Sequence, residues 1–143
     1  MALLTSNQVF NICCVHYDAG IRCCALGSLV QGGYLYAKHG SVGWIVACSS
    51  RQVSRVWTNR ADAVTVAEAS NACGDWFVPS RTDLQYAYDC NSFWDLFSSA
   101  AYWSDTELNA LCAWHVRFTN GLVDYNYSKV SSRCVRAIRR VFY

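Results

Sequence analysis

The residues that could carry chemistry are nine cysteines, three histidines and two carboxylates in one short segment. Asp105 and Glu107 lie close together, and glycoside hydrolysis uses such carboxylate pairs. The histidines His16, His39 and His115 lie in no nucleophile motif, and the sequence has no Gly-x-Ser-x-Gly, His-Glu-x-x-His or phosphate-binding loop. We therefore predict that the protein is not an enzyme and that the two carboxylates are structural.

The cysteines indicate no metal site. They are Cys13, Cys14, Cys23, Cys24, Cys48, Cys73, Cys90, Cys112 and Cys134. No Cys-x-x-Cys pair occurs, which removes the main support for a zinc ribbon or a thioredoxin motif. Buried thiols ordinarily pack as small apolar side chains, although the adjacent pairs near the N-terminus have no explanation of this kind. We expect no metal ion and no cofactor.

The composition predicts one folded domain of 143 residues. The hydrophobic fraction of 53% excludes disorder, and no apolar stretch is long enough to span a membrane. A net charge of +2 argues against nucleic acid as a partner. The charged fraction of only 15%, against about 25% in ordinary soluble domains, indicates that part of the surface is buried in an assembly.

The first two thirds of the chain predict a hairpin followed by two helices. Tyr34–Lys38 and Trp44–Cys48 are strand-like and are separated by a glycine-containing turn. A helix is predicted over Asn59–Ala72, with Asn59 as its cap. The second helix begins at Ser80, which forms a capping box with Asp83.

The last third predicts strands. Apolar and polar residues alternate over Cys112–Thr119, and Asn120–Gly121 is a strong hairpin signal. Leu122–Tyr127 returns as the next strand, and Arg133–Phe142 is predicted to be one final strand. Strands, two helices and strands in this order predict the α+β class, with an antiparallel sheet and the helices to one side.

Several motifs occur in the order of a known family. They are Gly32–Tyr36, Trp44–Ala47, Trp57 with Asp62 and Ala63, Gly74–Leu84, Tyr102–Glu107, Ala113–Phe118 with Asn120 and Gly121, and Arg133–Arg136. Together they resemble the Lcl C-terminal-like family, a group of domains of unknown function that is found in phage tail and bacterial surface proteins. One residue departs from the pattern, because Phe77 stands where the family motif has arginine.

The resemblance implies a C-type-lectin-like fold for residues 26–143, with an antiparallel sheet and two helices. It also implies a disulfide between Cys73 and Cys134, because a bridge from a helix to the last strand is common in that fold. Residues 1–25 lie outside the resemblance, and we predict a strand-forming arm for assembly or attachment. The calcium-binding motifs of sugar-binding lectins, Glu-Pro-Asn and Trp-Asn-Asp, are absent, so calcium is not implied.

We expect a phage virion protein, such as a tail-fibre, baseplate or decoration subunit, that binds a host-surface glycan or protein. Its other expected partners are virion subunits or further copies of itself. The N-terminus has no basic region followed by an apolar core, so we expect either that the protein is not exported by the secretory route or that the sequence is that of the mature form. One alternative is a glycan-binding adhesin domain on a bacterial surface. Another is an enzyme of the formylglycine-generating type, which would require a catalytic cysteine and a copper or calcium ion.

The residues expected to face a ligand follow the strands of the last third, where tyrosine and asparagine are typical of adaptable recognition surfaces. They are Asp105, Asn109, His115, Arg117, Asn120, Tyr125, Asn126 and Tyr127.

Deleting residues 1–25 tests the predicted arm. We expect the shortened chain to fold but to lose its ability to assemble, because a strand-forming segment can pair with the sheet of a neighbouring subunit. Native mass spectrometry of the full and the shortened chain measures this. A full chain that is monomeric, or a shortened chain that still assembles, would contradict the assignment.

Overall fold

Two β-sheets and two α-helices make up the described part of the chain. The computed structural model describes residues 25–30, 32–71, 75–94, 96–125 and 128–143. The strands are β1 (Leu29–Val30), β2 (Gly33–His39), β3 (Val42–Ala47), β4 (Val53–Arg55), β5 (Ala101–Glu107), β6 (Ala113–Arg117), β7 (Val123–Asp124), β8 (Arg133–Val135) and β9 (Ile138–Phe142). The helices are α1 (Asp62–Glu68) and α2 (Arg81–Trp94), and Ser49–Arg51 and Trp57–Asn59 are short 3-10 helices.

The first sheet has four strands in the order β1-β2-β3-β9, all antiparallel. Its centre is the predicted hairpin of β2 and β3, whose register shifts once between Leu35 and Ala37. The first residue of β2, Gly33, has to lack a side chain. A Cβ atom at this position would lie 2.2 Å from the carbonyl oxygen of Val46 on the opposite strand. One face of this sheet packs against α2 through a core that includes Tyr36, Val46, Leu84 and Ile138.

The second sheet has five strands in the order β4-β8-β5-β6-β7. The β5–β8 pair is parallel and the others are antiparallel. Asn120 and Gly121 turn the chain between β6 and β7, as the sequence predicts. The Asn120 side chain accepts a hydrogen bond from the Leu122 amide at 3.0 Å, and Gly121 has φ +77°.

The prediction of one final strand is wrong. Arg133–Phe142 forms β8 in the five-stranded sheet and β9 in the four-stranded sheet, with a crossing between them. All five residues from Val135 to Arg139 are buried. Both faces of the chain are therefore covered here, because it passes between the two sheets and not along the surface of one.

The first helix is shorter than predicted. It covers Asp62–Glu68, not Asn59–Ala72, and Asn59 is the last residue of a 3-10 turn that begins at Trp57. The helix is preceded by Ala61, which makes no side-chain cap. Tertiary contacts determine where the helix begins. Trp57 is only 6% exposed, and its indole donates to the Ser104 carbonyl at 2.8 Å, which holds the 3-10 turn in place before the helix.

The second helix begins as predicted. The Ser80 amide donates to Asp83 Oδ2 at 3.0 Å, and the Asp83 amide donates to Ser80 Oγ at 3.1 Å, which is the reciprocal capping box. Leu84 and Ala87 are buried against the four-stranded sheet. These contacts fix α2 on one face of that sheet.

The α+β class with mostly antiparallel sheets and two α-helices is thus confirmed. The predicted single sheet is replaced by two, one of which contains a parallel pair. Within the described ranges, neither helix has the length and apolar character that crossing a bilayer requires. The predicted arm lies outside the described residues except for Ala25, and so does Cys73.

A buried ion pair joins β9 to the segment before α2. Arg139 donates from Nε and Nη2 to Oδ2 of Asp75, at 3.0 and 2.7 Å. The side chains are 0% and 2% exposed. The next residues reinforce the contact, because Phe77 and Ile138 exchange two backbone hydrogen bonds of 2.9 Å.

Asp75→Asn is expected to lower the free energy of unfolding by about 3–5 kcal/mol, because it leaves the Arg139 charge buried without its counterion. Urea denaturation at neutral pH measures the loss. Asp105→Asn is the matched control: its ion pair with Arg60 is largely exposed on the aspartate side, at 53%, and should contribute less than about 1 kcal/mol. Equal losses in the two variants would contradict the buried pair's importance.

Candidate functional site

Three arginines lie in one row across the five-stranded sheet. Arg55 on β4 is opposite Arg133 on β8. Cys134 pairs with Tyr102 in parallel register, so Arg133 lies beside Ala101, and Ala101 is opposite Arg117 on β6. Residues paired in this way project from the same face of a sheet. The row is therefore Arg55, Arg133, Ala101 and Arg117.

Ala101 creates a gap in this row. Neighbouring strands lie about 4.8 Å apart, so the Cα atoms of Arg133 and Arg117 are roughly 10 Å apart, with one methyl side chain between them. A groove of about 410 Å³ opens here, at the end of the sheet where β5 and β8 begin. Its lining residues are Ser54, Ala100, Ala101, Arg117, Thr119, Ser132, Arg133 and Cys134. We call it the arginine groove.

The arginine groove combines guanidinium groups with hydroxyl groups. The Arg117 side chain is 34% exposed and lies 3.7 Å from the Asp124 carboxylate, a loose ion pair. Arg133 donates from Nη1 to the Ser132 carbonyl at 2.9 Å. Arg55, at the end of the row, is paired with Asp62 at 2.9 Å. Planar guanidinium groups bind carboxylate, sulfate or phosphate through paired N–H donors, so the groove has the chemistry of an anion site.

Cys134 lines the groove as a free thiol. Burial raises its pKa, while the nearby Arg133 acts in the opposite direction. The Gln52 side-chain amide donates to its sulfur at 3.4 Å. A thiol with a raised pKa is protonated at neutral pH and is a weak nucleophile. The disulfide between Cys134 and Cys73 that the resemblance implies stays a prediction, because Cys73 is not among the described residues.

Of the residues expected to face a ligand, Arg117 lines the groove, and Asn120 follows the groove residue Thr119. Asn120 is engaged in the hairpin turn described above. Tyr125 is 49% exposed and packs edge-to-face on Trp114, with ring centroids 4.9 Å apart. Asn126 and Tyr127 lie outside the described residues.

Asp105 and Asn109 lie towards the other end of β5 and beyond it, and both are engaged locally. Asp105 accepts from Arg60 at 2.6 Å, and the Arg60 guanidinium lies 3.6 Å from the centre of the Trp57 ring. Asn109 accepts hydrogen bonds from the amides of Leu111 and Cys112, at 2.9 and 2.8 Å. Both residues therefore shape the chain locally, and neither lines the groove.

His115 is fully buried, so it does not belong to an exposed surface. Its ring packs edge-to-face on Trp103, with ring centroids 5.9 Å apart. Burial lowers its pKa from 6.5 to about 4, and the positive charges of Arg117 and Arg133 act in the same direction. Asp124 acts against them. His115 is therefore neutral at physiological pH.

Most residues of the groove are not predicted from the sequence. Arg133, Ser132, Thr119 and Ser54 were not among the expected ligand-facing residues, although Arg133 lies in a motif of the resemblance. The signal that unites Arg133 with Arg117 is the parallel β5–β8 register. That register joins segments far apart in the sequence and leaves no local pattern.

Among the described residues, no group of three or more histidine, cysteine, aspartate or glutamate side chains is arranged to hold a metal ion. No protein-family model matches the chain, and comparison with curated proteins also found no match.

The buried His115 makes stability depend on pH. The folded pKa of about 4 lies below the unfolded value of 6.5, so the unfolded state binds the proton first. The contribution is fully present above pH 6.5 and is lost as the pH falls towards 4. Urea denaturation across this range should show a loss of about 2–3 kcal/mol from this group.

Two histidine variants isolate the contribution. His115→Gln should flatten the decline in unfolding free energy between pH 6.5 and 4.5. His39→Gln, at an exposed position, should keep the parent profile. A decline of the same slope in His115→Gln and the parent would show that carboxylates alone cause it.

Proposed function

We propose that the protein is a non-enzymatic phage virion subunit that binds an anionic glycan of the host surface in the arginine groove. One observation carries the binding function: Arg133 and Arg117 flank Ala101 in one row of a sheet and leave an open groove between them. A virion location, as a tail-fibre, baseplate or decoration subunit, follows from the sequence resemblance.

The dimensions of the groove favour an extended ligand with repeated negative groups. Two guanidinium groups on strands roughly 10 Å apart can each bind one acidic group. Hydroxyl groups of Thr119 and Ser132 lie in the same lining and can bond sugar hydroxyls. An acidic polysaccharide has both kinds of group, whereas a single small anion would occupy only one arginine.

A C-type-lectin-like fold for residues 26–143 is part of the proposal. The two-helix α+β architecture supports it, and so does the pairing of β9 with β3, which brings late and early strands of the domain into one sheet. In this proposal residues 1–25 are the arm that attaches the domain to other virion subunits or to further copies of the chain.

The double variant Arg117→Gln with Arg133→Gln tests the binding site. A glycan array with sialylated, uronic-acid and sulfated glycans beside neutral ones identifies a ligand, and calorimetry measures its affinity. Each charged hydrogen-bonded contact contributes about 1.5–3 kcal/mol, so the double variant should bind at least tenfold more weakly. Binding should also weaken with added salt.

Arg140→Gln is the control for each single variant, Arg117→Gln and Arg133→Gln, because it also removes one positive charge but lies on the other sheet. It should leave glycan affinity unchanged. Binding of neutral glycans only, or equal affinity in the double variant and the parent, would overturn the proposed site.

A bacterial surface adhesin would use the groove in the same way. Gene neighbours that encode secretion components, in place of capsid and tail proteins, would favour this alternative.

A further inference from the structure

A second recess lies on the four-stranded sheet, where the face that α2 covers becomes open. β3 and β9 pair Trp44 with Arg140 and Val42 with Phe142. Phe142 is 48% exposed, and Arg140 is exposed as well. The recess has a volume of about 450 Å³ and is lined by Val42, Trp44, Asp75, Phe77, Arg140 and Phe142. We call it the aromatic recess.

Contacts with α2 and β9 fix the positions of two aromatic residues that line the recess. Trp44 packs against Tyr86 of α2, with ring centroids 5.3 Å apart. Phe77 is fixed to β9 by its two backbone hydrogen bonds to Ile138. Phe77 also stands where the resembling motif has arginine, so the motif itself does not predict an aromatic side chain at this position.

Arg140 gives the recess a positive charge without a counterion. Its guanidinium lies 5.0 Å from the centre of the Phe77 ring. Among the described residues, no carboxylate lies within 4.0 Å of it to form an ion pair. The other charged residue of the lining, Asp75, is bound by Arg139. An arginine stacked on an aromatic ring still presents its N–H edge to a ligand.

We propose that the aromatic recess binds an organic monoanion whose apolar ring lies against Trp44 and Phe142 and whose acidic group is bound by Arg140. Ligand sites are typically apolar concave surfaces with a few polar groups that fix orientation, and this recess has that composition. The site goes beyond the proposed glycan function, because it lies on the other sheet and shares no residue with the arginine groove.

Two fluorescent probes that differ by one charge test the proposal. 8-Anilinonaphthalene-1-sulfonate carries an aromatic body and a sulfonate, and N-phenyl-1-naphthylamine has the same body without the sulfonate. We expect saturable binding of both probes at the recess, with the sulfonate probe bound more tightly. Arg140→Gln should weaken the sulfonate probe about tenfold, as expected for one charge-assisted contact, and should change the affinity of the neutral probe less than twofold.

Two further variants provide the controls. Arg51→Gln removes the same charge from a position that lines neither the recess nor the arginine groove, and it should leave both affinities unchanged. Phe77→Leu should weaken both probes, because it removes an aromatic wall without changing the charge; near-ultraviolet circular dichroism establishes that each variant is folded. The proposal is overturned if Arg140→Gln binds the sulfonate probe as the parent does, or if it weakens both probes equally. Loss of glycan binding in the groove variants with normal probe binding would leave this site intact.

Discussion

The fold depends on a positive charge that the chain buries at the crossing between its two sheets. Arg136 follows β8, is 2% exposed, and donates from Nε to the Ala47 carbonyl at 2.7 Å. A second donor reaches the Leu96 carbonyl, and the guanidinium lies 5.2 Å from the centre of the Phe97 ring. Burial lowers the pKa of Arg136, yet a guanidinium remains charged in proteins. Because an unsatisfied buried charge is very costly, the end of β3 and the segment after α2 must meet at this point.

Local signals were sufficient for the elements that neighbouring residues determine. The Ser80 capping box and the Asn120–Gly121 turn depend on hydrogen bonds within four residues, and both occur as predicted. Arg133–Phe142 divides into two strands at Arg136. The Arg136 side chain donates hydrogen bonds there to the carbonyl oxygens of Ala47 and Leu96, which are distant in the sequence. The residues of that segment alone are compatible with one continuous strand, so nothing local predicts the crossing.

Contacts between distant segments also limit how far the candidate site can be predicted from the sequence. Arg117 was predicted to face a ligand because of its place in the last third, and it lines the arginine groove. Asp105 has the same exposed and polar character, but its carboxylate holds Arg60 over the Trp57 ring. Whether a polar residue is available to a ligand depends on the side chains that other elements bring to it. His115 shows this most clearly, since its type favours chemistry while its surroundings are a buried sheet face.

The pairing of β3 with β9 sets the order in which the domain can fold. Val46 pairs with Ile138, about 90 residues later in the chain, whereas β2 and β3 form a short hairpin. Contacts between such distant segments carry a large loop-closure entropy and make folding slow. During synthesis the hairpin of β2 and β3 can form early, but β3 keeps an unpaired edge until β9 emerges. Until then this edge of β3 is open to pairing with other chains, so completion of the four-stranded sheet also protects the chain from aggregation.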